Sequence, residues 1–343
     1  MNLNLPLPVG TLLWYYGAVF ISLLAVYAVG WVIKALFVKI KEPVSAFSIL
    51  TCSVLGLTFI VTIYSLIMTK GLTVNWMLVA LALLYVYYYR KNGKTSAVVS
   101  HIQPHSTSVW KYVCILLTIN ALFFCYFMSL IIDFGHGMFQ KYHFDFDYYA
   151  KLSQYLNLGY ENGYYLVYNF AKYIPPTPYH YFELWTNAII YKAFGLNAVV
   201  SYMVSLPLFF TSLIFLAFLA IIEIRKKPTF VYILLAFVLL LMVDIIPYLH
   251  SLFPIIRGGA GGVFFPKLQP VFLFSITAML CFLSQKRTEA YFLLLAIPVI
   301  NLLPIIGVWG TIGVLLLWDI YRNHKIRWQY WTPYLVVGLD NIQ

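Results

Sequence analysis

The sequence predicts an all-α, polytopic membrane protein with about nine transmembrane helices and one large helical extracytoplasmic loop. Of the 343 residues, 62% are hydrophobic and only 10% are charged, and the mean hydropathy is +0.84. Soluble domains contain about 25% charged residues, so this chain has too few polar side chains to cover a water-exposed surface. The composition therefore excludes an ordinary soluble fold and makes the lipid bilayer the expected environment.

Nine apolar runs along the chain are the predicted membrane spans, each of which needs about 20 apolar residues as a helix. They cover about 11–33, 45–68, 74–89, 110–132, 198–222, 229–249, 269–285, 289–303 and 305–321. These runs divide the chain into a four-span bundle over 1–132, a loop over 133–197 and a five-span bundle over 198–327. The last segment, 328–343, is interpreted as a tenth span that is cut short.

The distribution of charge orients the predicted spans. The net charge is +11, with 22 Lys and Arg residues against 11 Asp and Glu residues. Most of the basic residues lie on every second connection, at 34–41, 90–111, 225–227, 286–287 and 322–327. Short cytoplasmic loops collect Lys and Arg, so the positive charge indicates membrane orientation and no nucleic-acid partner. The N-terminus and the loop 133–197 are therefore predicted to be extracytoplasmic.

The long outer loop is the predicted location of the function, because a purely structural connection could be a few residues long. In its run DFDYYAKLSQYLNLG, the side chains Tyr149, Leu152 and Leu156 fall on one helical stripe, and Gly159 is a stop signal. Asp145 or Asp147 stands at the start of this helix. A carboxylate there either caps free backbone N–H groups or serves as a general base beside the bilayer.

A second helix of the loop is predicted to follow Pro178 and to end at about Phe194. Its apolar face contains Tyr181, Leu184, Trp185, Ala188 and Ile189, and its polar face contains His180, Glu183 and Asn187. This pattern predicts a helix along the membrane surface whose polar face is turned toward water or a cleft. We expect His180 to lie close to Asp145. The alternative is an ordinary surface ion pair between His180 and Glu183.

These residues resemble the GT-C superfamily of integral-membrane glycosyltransferases. The resemblance lies in the run Asp145-Phe-Asp-Tyr-Tyr149-Ala-Lys-Leu152 and in the proline-led segment from Pro178 to Trp185, and it covers about 140–225. Members of this superfamily often have a second acid directly after the first, whereas here Phe146 separates the two acids. The resemblance implies transfer of a sugar from a polyprenyl-phosphate donor to an acceptor on the extracytoplasmic side.

The resemblance also implies roles for individual residues. Asp145 matches the position of the general base, with Asp147 as the second candidate, and Tyr149, His180 and Glu183 are the predicted substrate-binding residues. The departing phosphate needs a cation, and the outer loop 250–268 offers Arg257, followed by four glycines, and Lys267. Glycine allows backbone N–H groups to approach an anion closely. The alternative for this loop is a flexible turn with an Arg side chain that extends to the interface.

Other functions and a cofactor are left open by the sequence. A transporter or flippase of a lipid-linked or anionic substrate is one alternative, and a non-catalytic membrane subunit of a polysaccharide assembly complex is another. Transporters place ionisable residues inside their spans, and these are scarce here, which favours an enzyme at the outer surface. A divalent metal is the cofactor that the loop acids could bind, although their spacing is not diagnostic of a metal site.

Overall fold

The structure is a computed structural model that describes residues 9–37, 44–92, 108–133, 138–139, 144–161, 181–224, 229–245, 266–284, 286–301 and 305–340. The described residues are almost entirely helical. In chain order the elements are α1 Val9–Phe37, α2 Ala46–Met68, α3 Trp76–Asn92, α4 Val109–Ile131, β1 Ile132–Asp133, β2 Met138–Phe139, α5 Phe144–Leu156, α6 Tyr181–Phe194, α7 Ala198–Glu223, α8 Phe230–Ile245, α9 Gln269–Leu283, α10 Arg287–Ile300, α11 Ile305–Asn323 and α12 Trp328–Asp340. The two short strands pair antiparallel, with Ile132 opposite Phe139.

Each predicted span coincides with a helix, but the helices differ in how well they could cross a bilayer. Four are long and apolar enough by length and composition: Gly10–Leu36, Ala46–Met68, Val109–Met128 and Ala198–Glu223. Others are short, since α9 has 15 residues and α10 has 14, against about 20 for a full span. The apolar helices identify an integral membrane protein, and the count of nine spans stays a prediction.

The central element of the fold is α7. It packs against α1, α2, α4, α6, α8 and α9, and nearly all of its side chains are buried. Its apolar residues surround the whole helix, which is the pattern of a helix enclosed by other helices rather than one with a single packed face. A π-helical turn over Ser201–Ser205 interrupts it near its beginning. These neighbouring helices therefore all pack directly on α7.

The closest helix contact is between α1 and α2, at Gly30 and Gly56. A Cβ atom added at Gly56 would lie 1.9 Å from the Val26 carbonyl oxygen, and one added at Gly30 would lie 1.7 Å from that of Cys52. Both glycines are therefore required by the backbone of the facing helix. Small residues at a crossing allow helices to approach closely in a membrane, where helix association depends on such packing.

Polar contacts join the helix ends that the sequence predicts to be cytoplasmic. Glu223 at the end of α7 accepts a hydrogen bond from the backbone N–H of Ala46 (2.7 Å) and another from the Tyr112 hydroxyl. Asp319 lies 3.7 Å from Arg287 and 3.5 Å from Arg327. These contacts therefore lie on the side of the membrane that the sequence predicts to be cytoplasmic. They involve the starts of α2, α4 and α10 and the ends of α7 and α11.

The opposite helix ends make contacts of their own. Trp14 near the start of α1 donates to the Phe194 carbonyl (2.8 Å), and the Tyr15 hydroxyl accepts from the Asn197 N–H (3.0 Å). The Asn301 side chain after α10 donates to the Lys267 carbonyl before α9 (3.1 Å). These pairings agree with helices that alternate in direction, as the basic connections predict. Which end faces the cytoplasm stays a prediction.

A labelling experiment tests the orientation. We expect a cysteine at Tyr160, which is exposed after α5, to react with a membrane-impermeant thiol reagent applied from outside intact cells. A cysteine at Gly93, on the predicted cytoplasmic connection, should react only after the membrane is permeabilised. Labelling of position 93 alone would reverse the orientation.

Candidate functional site

The first predicted helix of the outer loop is present as α5, and its buried stripe is the predicted one. Tyr149, Leu152 and Leu156 are all buried. Gly159 has a φ of +89°, and a Cβ atom there would lie 2.7 Å from the Met68 carbonyl oxygen. Glycine is therefore needed both for the left-handed backbone conformation and for the close approach to the end of α2.

Aromatic rings fix α5 against the beginning of α7. The ring of Tyr149 stacks on that of Tyr202 with 5.7 Å between centroids, and the ring of Phe146 lies at the same distance from Tyr202, tilted by 59°. Tyr202 belongs to the π-helical turn, and π-turns occur frequently at functional sites. The aromatic contacts make Tyr149 a packing residue of the site, which holds the acid-bearing helix in place.

The two candidate acids lie at the beginning of α5. Asp145 is in its first turn, one turn before Tyr149, and its side chain is outside the described residues. Asp147 forms an ion pair with Lys151 (3.2 Å), one turn further along the helix, and is one-third exposed. Exposed pairs of this kind contribute little to stability. Asp147 thus has a structural partner on its own helix.

The prediction that α6 lies along a surface is wrong. Its residues are buried on nearly all sides, including the predicted polar residues Glu183 and Asn187, because α2, α5, α7 and α9 pack around it. The apolar face found by spacing, with Leu184, Trp185 and Ala188, is buried as predicted. The polar face is turned into the protein and not toward water.

Two predicted substrate-binding residues, Glu183 and Lys267, lie on α6 and just before α9, two helices that pack against each other. Glu183 on α6 is fully buried, and Lys267 lies in the turn before α9. Burial raises the pKa of Glu183 well above its usual range, while the backbone N–H of Glu183 itself and the positive charge of Lys267 act in the opposite direction. Contact between the Phe182 and Phe274 rings, at 5.5 Å, joins the same two helices. A buried acid beside a basic residue can exchange a proton or hold a polar ligand.

Two buried amides, Asn187 and Gln269, flank this pair. Asn187 is one turn after Glu183 and donates to the Ala198 carbonyl (3.4 Å), and Gln269 follows Lys267 by two residues and donates to the Pro207 carbonyl (3.2 Å). A carbonyl only accepts, so each NH₂ group is fixed in place. Among the residues that the structure describes, neither amide oxygen has a hydrogen-bond partner. Gln269 was not identified by the sequence reasoning, because a glutamine at a helix start carries no pattern.

A second buried acid, Glu161, lies in the turn after α5. Its carboxylate accepts hydrogen bonds from the Thr73 hydroxyl (2.7 Å), the Val74 backbone N–H (2.7 Å) and the Trp185 indole N–H (2.8 Å). Burial raises its pKa to about 7, against the lowering effect of these three donors. The sequence reasoning did not select Glu161, since its partners come from segments about 25 and 90 residues away.

His180 and Arg257 lie outside the described residues, so their predicted positions beside Asp145 and the phosphate stay predictions. Within the described part of the chain, no three His, Cys, Asp or Glu side chains gather in a group that could hold a metal ion. Of the seven predicted site residues, Glu183 and Lys267 thus lie on neighbouring elements of the structure, and Tyr149 and Asp147 lie on the adjacent helix α5.

The fold defines the chain as an integral membrane protein with helical segments packed at one end of its bundle. Comparison with models of protein families, with curated proteins and with solved structures gives no match. The resemblance to membrane glycosyltransferases therefore stays a hypothesis that depends on the residues themselves.

Proposed function

We propose that this protein is a membrane glycosyltransferase of the GT-C type, which transfers a sugar from a polyprenyl-phosphate donor to an acceptor on the extracytoplasmic side. The observation that carries the proposal is the position of α5 and α6. These helices, which bear Asp145, Asp147 and Glu183, pack on the π-helical turn of α7 at one end of an apolar bundle. That end is where a lipid-linked substrate would present its polar head.

The residues fit the chemistry of this transfer. The acceptor hydroxyl oxygen forms a bond to the anomeric carbon of the sugar while the bond from that carbon to the phosphate oxygen breaks. Asp145 takes the hydroxyl proton, and polyprenyl phosphate leaves with the bonding electrons. Lys267, together with Arg257, would stabilise the negative charge of the departing phosphate.

The distribution of buried acids favours an enzyme over a transporter. Among the residues whose burial is described, the buried acids are Glu161, Glu183, Glu223 and Asp319. Glu161 and Glu183 lie outside the predicted spans, and Glu223 and Asp319 lie at or near helix ends. A transporter would be expected to place such groups near the middle of its spans.

Turnover of a polyprenyl-phosphate sugar by the purified protein in detergent or nanodiscs tests the proposal. We expect release of polyprenyl phosphate that depends on an added acceptor alcohol. Movement of the labelled lipid across a vesicle membrane without cleavage would identify a flippase instead. Neither cleavage nor movement would favour a non-catalytic subunit.

The two amides offer a sharper test of sugar binding. Sugar hydroxyl groups can donate hydrogen bonds to the free oxygens of Asn187 and Gln269. We expect Asn187→Leu or Gln269→Leu to weaken binding of a short-chain polyprenyl-phosphate sugar about tenfold, the loss of one or two hydrogen bonds. Binding of the same polyprenyl phosphate without sugar should be unchanged.

Asn120→Leu is the matched control for this comparison. Asn120 is also a fully buried amide, and it bonds to Ser212 between α4 and α7 (3.1 Å), away from Glu183. Its replacement should leave the preference for the sugar-bearing lipid intact. If all three variants lose affinity for both lipids alike, the amides serve only the packing of the bundle.

A further inference from the structure

Glu161 joins three separate parts of the fold. It stands in the turn after α5, and its three hydrogen bonds reach Thr73 and Val74 in the turn between α2 and α3 and Trp185 on α6. The side chain is only 4% exposed. Trp185 is fully buried and also contacts the Tyr64 ring on α2, at 6.0 Å between centroids. A change in the charge of this carboxyl group would therefore affect the packing of α5, of α6 and of the α2–α3 turn.

Asn157, one turn earlier, joins the end of α5 to α2 and to α6, and its side chain cannot ionise. It accepts from the Tyr64 hydroxyl (2.6 Å) and donates to the Ala188 carbonyl (3.1 Å) and to the Tyr191 hydroxyl (2.6 Å). The end of α5 is thus held on α6 by two side chains, of which Glu161 alone can change its charge. Asn157 provides a contact of similar geometry that does not depend on pH.

The direction of the pH effect follows from where the proton is held. Burial raises the pKa of Glu161 to about 7, above the value near 4.3 of an exposed Glu. We call the contact of Glu161 with Thr73, Val74 and Trp185 the joint, which is closed while these hydrogen bonds are formed and open when they are broken. Between these two pKa values, Glu161 is protonated in the closed joint and ionised in the open joint. Opening therefore becomes easier as the pH rises from about 4.5 to about 7, and it changes no further above that.

Titratable groups on the surrounding elements include Tyr64 on α2, Lys70 in the α2–α3 turn, Asp147, Lys151 and Tyr155 on α5, Tyr160 beside Glu161, and Glu183, Tyr191 and Lys192 on α6. Burial raises the pKa of Tyr191, which moves its titration further above this range. Glu183 is the one neighbour whose raised pKa could contribute, and a variant of Glu161 separates the two acids.

We propose that Glu161 is a positioning residue that holds α5 onto α6 and the α2–α3 turn, and that the joint is tighter in mildly acidic than in alkaline conditions. The three donors that meet at its buried carboxyl define the joint. A role of the joint in positioning a catalytic acid depends on the proposed function, because that acid is Asp145 on α5. The pH-dependent opening of the joint does not rest on it.

The opening can be measured as the reactivity of a buried thiol in the full-length protein. Val74 is 3% exposed and its neighbour Leu72 is 62% exposed, so Val74→Cys reports opening and Leu72→Cys reports the intrinsic reactivity at each pH. The exposed Cys114 and Cys125 are first replaced by Ser, and the buried Cys52 and Cys281 are kept. The probe is N-ethylmaleimide, with labelling followed by mass spectrometry.

We expect the rate at position 74, divided by the rate at position 72, to rise about fifteenfold in total between pH 5.5 and 7 and then to level off. Glu161→Gln keeps the size of the side chain and cannot ionise, so its ratio should be constant to within about twofold. Asn157→Leu should raise the ratio at every pH and keep the slope.

Three results would overturn the proposal. A constant ratio in the protein with Glu161 would show that this carboxyl does not control the joint, and a slope that persists in Glu161→Gln would assign the effect to another group, such as Glu183. The same slope at Cys52 would show global unfolding. Because no sugar or lipid substrate is used, failure of the proposed transferase leaves this measurement unaffected.

Discussion

Replacing Gly56 by alanine should prevent the native packing of α1 on α2. The added Cβ would lie 1.9 Å from the Val26 carbonyl oxygen and 2.7 Å from the Gly30 nitrogen, both of which are backbone atoms that cannot rotate away. The helices would have to separate along their whole contact. We expect a loss of about 4 kcal/mol or more, the range reached only by exceptional single substitutions. The measurement is the yield of monodisperse protein in detergent, together with the midpoint of thermal unfolding.

Gly17→Ala on α1 is the matched control, because a Cβ atom at Gly17 meets no atom within 4 Å. This variant should be neutral or slightly stabilising, since alanine is the better helix former. Gly30→Ala should behave like Gly56→Ala, because its Cβ would meet the Cys52 carbonyl at 1.7 Å. Normal yield and stability of both Gly30→Ala and Gly56→Ala would show that α1 and α2 do not cross at these residues.

Asp145→Asn should abolish most of the proposed sugar transfer, with a loss of about 10²–10⁴-fold in rate. The amide cannot take the proton of the acceptor hydroxyl, but it is close in size to the carboxyl group, so the expression and fold of the protein should be retained. The measurement is transfer by the purified variant at saturating donor, with its unfolding midpoint as a check on stability.

Asp147→Asn is the natural comparison, because the two acids are two residues apart on the same helix. Asp147 already pairs with Lys151, and the loss of an exposed pair should have little effect on stability. We expect it to reduce transfer by much less than Asp145→Asn. A larger loss of transfer in Asp147→Asn than in Asp145→Asn would assign the role of general base to Asp147. It would also show that the spacing to Tyr149 does not identify the catalytic acid.

Local structure in this protein could be predicted well because it depends on neighbours along the chain. The helix α5, its buried stripe and the turn at Gly159 that follows it could be predicted from spacing and from the conformational freedom of glycine. The start of α7 at Ala198 and the position of α12 were predicted in the same way. The count of complete spans could not be taken from apolar runs alone, since several of these helices are shorter than a bilayer is thick.

The environment of α6 shows where spacing stops being informative. Glu183 and Asn187 form a polar stripe that is typical of a helix at a surface, and the sequence does not indicate that other helices pack around it. Buried polar groups are tolerated when partners arrive from elsewhere, as the Thr73 hydroxyl and the Trp185 indole do for Glu161. Such partners are distant in sequence and leave no periodic signal.

The sequence by itself determined that this is a helical membrane protein and where its helices lie, and it places five of the 11 acids in the predicted outer loop 133–197. These properties depend on composition and on the 3.6-residue period, which are readable along the chain. Only the tertiary structure decided that Glu161 joins α5 to Thr73, Val74 and Trp185, and that Gly30 and Gly56 meet. The physical reason is that both features depend on contacts between distant segments, which are set by the packing of whole helices around α7.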